Sequence, residues 1–205
     1  MHLIDCPNIT KITSGISPVM FVKNAVLFPN CNIPLRIFEP RYRKMLDSVF
    51  KGSRSFILSF EDGDNGDLTN SVGTMGLVTS AVTQSDGSSI VMLNGLFKVK
   101  LNKMDNTNEL YQNWSYEKLE STSFDADNND LLDKLKITYN KLCNAIDGSD
   151  YPKNLPFSKD ASQACDTIIE FLVSNISLKK QFFLSNNINN KISLTIKVIE
   201  SVFQK

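Results

Sequence analysis

The string Phe38-Glu39-Pro40-Arg41-Tyr42-Arg43 brings a carboxylate, a guanidinium and a phenol close together in the chain. Glu39, Arg41 and Tyr42 can grip a peptide carboxylate or amide. They can equally serve the fold. Glu39 can accept free N–H groups at a helix start, Arg36 or Arg41 can pair with it, and Tyr42 can pack. The pattern favours this structural use, because a helix beginning at Pro40 exposes donors that need acceptors.

Other chemistries have less behind them. The one histidine is His2, at the terminus, so neither an oriented imidazole for nucleophilic catalysis nor a histidine-rich zinc site is expected. Cys6, Cys31, Cys143 and Cys165 are too far apart in sequence for a C-x-x-C signature. The chain contains neither G-x-G-x-x-G nor G-x-x-x-x-G-K-S/T. The run Asp62-Gly63-Asp64-Asn65-Gly66-Asp67 invites a calcium reading. Its sixth and twelfth positions are Asp67 and Gly73, where glycine and glutamate are required, so a solvated hairpin loop is expected. From Asp125 the twelfth position is Lys136, and Asp125 to Asp130 reads as acidic residues favouring a helix N-terminus. No metal, no cofactor and no enzymatic activity are expected.

The elements that position these residues fall into two textures. Val26 to Phe28 reads as a short strand stopped by Pro29, after residues 1–17 as a loose lead-in. Further strands are expected over Pro18–Val22, Ile33–Phe38, Ser55–Phe60, Val72–Val82, Ser89–Leu93, Phe97–Leu101 and Ser115–Leu119. Asp86-Gly87 supplies a tight turn, and Gly73 and Gly76 suggest a bulge or a close backbone approach. A helix from Pro40 carries Tyr42, Met45, Leu46, Val49 and Phe50 on one face, with Gly52 as its stop. Phe21, Phe28 and Phe38 are assigned to the core.

From about residue 126 the hydrophobic period becomes helical. Leu131, Leu135, Tyr139, Leu142 and Ile146 form one stripe closed by Gly148. Ser158 caps a second helix carrying Ala161, Ala164, Cys165, Ile168, Leu172 and Ile176. Leu178–Ser185 is a short third helix. Asn189 caps the last, with Ile192, Ile196, Ile199 and Val202/Phe203 inward. Strands followed by helices predict an α+β fold in two parts, 1–120 strand-rich and 121–205 a helical bundle.

Lys+Arg and Asp+Glu both total 22 in the 205 residues. The balance holds in each half, which argues against a broad electrostatic grip on nucleic acid. The densest basic group is Arg36, Arg41, Arg43, Lys44, Lys51 and Arg54, read first as a solvated helix face. No secretory signal and no 18-residue apolar run is present, so a cytoplasmic protein with free thiols and no membrane partner is expected. Three Asn-x-Ser/Thr triplets are attributed to chance in an asparagine-rich chain.

The stretch Leu27-Phe28-Pro29 followed by Pro34-Leu35-Arg36-Ile37-Phe38-Glu39-Pro40-Arg41-Tyr42-Arg43 resembles the opening of the Lon protease N-terminal domain family. Val72-Gly73-Thr74-Met75-Gly76 and Gly95-Leu96-Phe97-Lys98-Val99 resemble two of its later strands, with Lys98 where arginine is usual. Lys180-Gln181-Phe182-Phe183-Leu184 and the last helix resemble its closing segment, with Asn190 or Lys191 where arginine is usual. The resemblance implies a β pseudo-barrel related to PUA domains, followed by helices. It also implies a stand-alone substrate-recognition module without ATPase or protease domains.

Two functions are weighed. The first is a non-catalytic module that binds unfolded or client polypeptide, alongside other proteostasis proteins, through an apolar patch or by strand addition at a sheet edge. Met20, Met75, Met92 and Phe97 are its candidate contacts, since methionine suits adaptable surfaces. The alternative is an RNA-binding PUA-like module.

Overall fold

Among the described residues, six strands and one helix form in the first part of the chain. They are β1 Ser14–Val22, β2 Asn32–Ile37, α1 Pro40–Phe50, β3 Ser55–Phe60, β4 Val72–Thr83, β5 Ser89–Asp105 and β6 Gln112–Lys118. Four helices follow: α2 Asn129–Ala145, α3 Ala161–Leu172, α4 Ile176–Leu184 and α5 Ile188–Val202. The computed structural model describes residues 12–60, 68, 71–105, 109–120, 129–145, 152, 154–157 and 160–203. The fold is α+β. It divides into two compact units, Met1–Leu119 and Glu120–Lys205. The expected loop at 61–67, the residues 125–128 of the expected acidic helix start, and Ile146, Gly148 and Ser158 lie outside the described residues.

The strand order is β2-β5-β4-β3-β1-β6, and β6 also pairs with β5. Strands β5, β4, β3, β1 and β6 therefore close into a ring, while β2 hangs on β5 as an edge strand. Closure removes the unpaired edges that an open sheet would leave. β1 runs parallel to β3, and the other pairings are antiparallel.

Strand β5 explains the ring. Two strands were expected over Ser89–Leu93 and Phe97–Leu101; they are one, because Gly95 stays bonded. Its N–H donates to the Cys31 carbonyl at 2.9 Å, and its carbonyl accepts from the Asn30 N–H at 2.8 Å. Gly95 faces Gly76 on β4, yet Phe97 faces Met75. Leu96 is the extra residue of a bulge, and a one-residue slip turns a strand's faces over. Val91 and Leu93 thus enter one core, with Ile33, Leu35, Met45, Leu46 and Phe56 from β2, α1 and β3. Phe97, Val99 and Leu101 enter a second core with Val19, Ile57, Met75, Trp114 and Tyr116. All five ring strands supply that second cluster, and neither α1 nor β2 does, so it fills the ring. β3 is buried at every position because it carries a core on each face.

Several expectations change. Ser14 to Ser17 are not lead-in but the first half of β1, paired with β6. Val26, Leu27 and Phe28 are buried without strand pairing. Thr74 Oγ1 donates to the Leu27 carbonyl at 2.5 Å, so a side chain replaces the ladder. Phe38 is not core; it is 62 % exposed. Phe50 is also exposed, with the Arg54 guanidinium 5.6 Å from its ring centre. Gly52 does not end α1 with a left-handed turn; Lys51 follows the helix, and the backbone reverses at Arg54 (φ 55°).

In the helical unit α5 packs against α2 and α3. Ile192, Ile196 and Ile199 are buried as the period required, while Phe203 is exposed. On α2 the inward stripe is Leu132, Leu135, Tyr139 and Leu142, so Leu132 rather than Leu131 begins it. Asp160, not Ser158, caps α3, accepting from the Gln163 N–H at 2.9 Å. Ile176 belongs to α4, whose cap is Asn175, and Asn187 rather than Asn189 caps α5. The caps fall where the chain leaves extended geometry, which periodicity locates only within a few residues.

Candidate functional site

Three exposed apolar residues of the β unit, Phe38, Val82 and Ile90, gather on one face of β2, β5 and β4, whereas Ile16 on β1 and Leu110 just before β6 are exposed elsewhere. Register partners in a sheet share a side. Arg36 faces Ile90, which faces Val82; Pro34 faces Met92, which faces Ser80. Phe38 continues the outward alternation of β2 two residues past Arg36. Phe38, Val82 and Ile90 are 62 %, 61 % and 46 % exposed, and Pro34 is exposed. At the other end Asn32 faces Asn94, whose Nδ2 donates to Asn32 Oδ1 at 3.0 Å, and Asn94 faces Leu77. Leu77 packs on the core inside the ring. The open face is therefore an extension of the surface that lines the ring.

This geometry sorts the four expected contacts. Met92 lies on the face, half-buried. Met75 and Phe97 pair on the same side but within the ring, both buried, and present no surface for an adaptable contact. Met20 is buried in the other core, beneath α1. Val82 and Ile90 were missed. They flank an Asp-Gly turn at matched distance, but the side on which paired residues are covered is not written in their spacing.

The edge of β2 is a poor place to add a strand. The bond from the Gly95 N–H to Cys31 sets the phase of the β2–β5 ladder. In that phase Ile33 and Leu35 bond to β5, whereas Asn32, Pro34 and Arg36 turn their backbone groups outward. Pro34 contributes no N–H, so the open edge lacks a donor at its centre.

A turn closes the face. Gly87 has φ +76°, a conformation that favours glycine. Asp86 Oδ1 accepts from the Ser88 hydroxyl at 2.7 Å and the Ser88 N–H at 2.8 Å, and Oδ2 accepts from Arg36 Nη2 at 3.1 Å. The Ser88 hydroxyl first, then its N–H, hold the Asp86 carboxyl below the usual carboxylate range, with Arg36 adding to this. The Arg43 guanidinium lies so close to Gly87 that a Cβ there would overlap it.

The Glu39–Arg41–Tyr42 group has a structural role in part. Pro40 opens α1 as expected, but the Glu39 side chain caps no N–H. It accepts from Arg41 Nε at 2.8 Å instead, and the Arg41 guanidinium stands 4.5 Å over the Tyr42 ring. Arg36 pairs with Asp86 rather than with Glu39. Pro29 sits in the turn before β2 with Asn30 at φ 61°. Tyr42 is buried, and its hydroxyl lies 3.3 Å from both the N–H and the carbonyl of Phe21. β6 ends opposite Val19, so this hydroxyl satisfies strand groups that β6 does not reach. Tyr42→Phe is expected to cost about 1 kcal/mol, read as a lower urea midpoint with an unchanged slope.

Of the basic group, Arg36, Arg41 and Lys44 are paired, with Asp86, Glu39 and Glu109. Half of it is thus neutralised within the molecule. Among the described residues no cluster of His, Cys, Asp and Glu can hold a metal ion. No described helix is long and apolar enough to cross a membrane.

In the helical unit, Lys191 Nζ donates to Asp166 Oδ1 at 2.7 Å, with side chains 4 % and 3 % exposed. Nζ also reaches Ser162 Oγ at 3.2 Å and lies 5.1 Å from the Phe182 ring centre. An ammonium held by a carboxylate is no general base for that serine. Burial pushes the neighbouring Cys165 thiol up to about 12. Because the folded value lies above the ordinary 9.0, the buried thiol favours folding below pH 9, and that contribution is lost as pH rises toward 12. At pH 8 iodoacetamide is expected to label the half-buried Cys143 and spare Cys165 until the chain unfolds; rapid labelling of Cys165 in the native protein would contradict this.

A closed β ring with an apolar side face and a following helical unit defines a fold of mixed α+β class. Solved structures share it. The N-terminal domain of a Mycobacterium avium complex Lon protease matches with TM-score 0.68 at 10 % identity, over 91 % of this chain and 98 % of that one. The Lon N-terminal domain protein from Xanthomonas campestris matches with TM-score 0.62 at 15 % identity, over 91 % and 98 %. The chain belongs to the ATP-dependent protease La (LON) substrate-binding domain family, which matches residues 16–200. It is 24 % identical over 220 aligned positions to the Lon protease of Parabacteroides distasonis, covering 98 % of this chain and 26 % of that protein. The chain thus spans about a quarter of that relative's length. Substrate recognition is the function class that the family match supports.

Proposed function

We propose that this protein binds unfolded or partly unfolded polypeptide across the exposed face of β2, β5 and β4, and that it has no catalytic activity of its own. The observation that carries the reading is the row of Phe38, Ile90, Val82 and Pro34, apolar and open on adjacent strands. Apolar patches of this kind mark interaction sites. The family is one of substrate-binding domains, which supplies the ligand class. The gap left by Pro34 favours a peptide laid on the face over one added at the β2 edge.

The test is a titration of a permanently unfolded client, such as reduced and carboxymethylated lactalbumin, at low and high salt. Binding to the parent is expected to change little with salt, since apolar contact dominates. The Val82→Asp/Ile90→Asp double variant is expected to melt like the parent and to lose at least about tenfold in affinity. Steeply salt-dependent binding of single-stranded RNA with no client binding would overturn the proposal, because counterion release sets that slope. Measurable ATP turnover or casein cleavage by the pure chain would remove its second half.

A further inference from the structure

We infer that the bound segment carries a carboxylate beside its apolar residues, and that Arg36 and Arg43 read it. This rests on the proposed peptide-binding face and names the chemistry of its occupant. Among the positions that form this face, Asn32, Pro34 and Arg36 on β2 with their register partners on β5 and β4, the one charged side chain is the cation Arg36. Arg43 reaches the same corner from α1, with its guanidinium against Gly87. The carboxylate at this corner is Asp86, next to Gly87 in the turn, already holding Ser88 through one oxygen and Arg36 through the other. Among the described residues no carboxylate pairs with Arg43. Arg36 thus has one acid partner and Arg43 has none among the described residues, at the end of an apolar row. The Arg36–Asp86 pair is exposed on both sides, 64 % and 56 %, so an incoming carboxylate exchanges for it at little cost. Arginine offers a planar fork that matches a carboxylate with two parallel hydrogen bonds. An apolar segment ending in Asp, Glu or a free C-terminus complements this corner, and one ending in lysine opposes it.

The experiment compares fluorescent peptides of one apolar sequence that end in Asp-Asp, Asn-Asn or Lys-Lys, each with an amidated terminus. The Asp-Asp peptide is expected to bind about two- to fivefold tighter than the Asn-Asn peptide, with Lys-Lys weakest. Arg36→Gln and Arg43→Gln are expected to melt like the parent and to abolish that order, so that Asp-Asp loses its advantage over Asn-Asn. If the three peptides bind the parent equally well, the carboxylate reading fails while the apolar face stands. If none binds, both fail. If the order persists in the double Arg36→Gln/Arg43→Gln variant, other cations read the acid and the assignment of these two is wrong.

Discussion

Asp166→Ala is expected to destabilise the helical unit by about 3–5 kcal/mol, because it leaves the Lys191 ammonium buried with no counter-charge. Lys191 and Asp166 are 4 % and 3 % exposed and meet at 2.7 Å between α3 and α5. The Ser162 hydroxyl and the Phe182 ring that remain around Nζ cannot replace a carboxylate. Substituting both residues separates the cost of a broken pair from the value of an intact one. Asp166→Leu/Lys191→Met is expected to recover most of the loss, since a well-packed apolar pair often matches a buried ion pair. Helical circular dichroism through a thermal melt reads both variants. A double variant as unstable as Asp166→Ala would mean that packing volume, not the stranded charge, causes the loss.

Gly95→Ala is expected to cost about 3 kcal/mol in the β unit, at the upper end of overpacking effects. The added Cβ would fall onto the Phe28 carbonyl oxygen, 3.0 Å from its carbon and 3.2 Å from Leu27 Cγ. The main obstruction is backbone, so no rotamer change relieves it. The strand cannot step aside either, because Gly95 is bonded through its N–H to Cys31 and through its carbonyl to Asn30. Trp114, the only tryptophan, is buried among the residues that fill the ring, so its fluorescence reports this unit directly. A parent-like fluorescence midpoint in urea would show that the Phe28 segment yields easily.

The sequence alone determined the elements whose signal is local. α1 begins at Pro40 because proline's fixed φ suits a helix start. The β4–β5 turn forms at Gly87 because glycine tolerates positive φ. Ile192, Ile196 and Ile199 turned inward because a 3.6-residue period marks a buried stripe. The motif running from Leu27 to Arg43 was legible for the same reason: residue identity and order are all it needs.

What only the tertiary structure decided depends on partners distant in the chain. Nothing in Ser89 to Leu101 shows that one strand runs through both halves, because Gly95 is held by Asn30 and Cys31. The bulge at Leu96 then chose which core receives each side chain, burying Met75 and Phe97 in the ring and leaving Ile90 outside. Phe38 looked like core by type, and nothing in the pattern around Lys191 marked it as buried. Both placements depend on what packs opposite: no described element covers Phe38, and Asp166 makes a buried lysine tolerable.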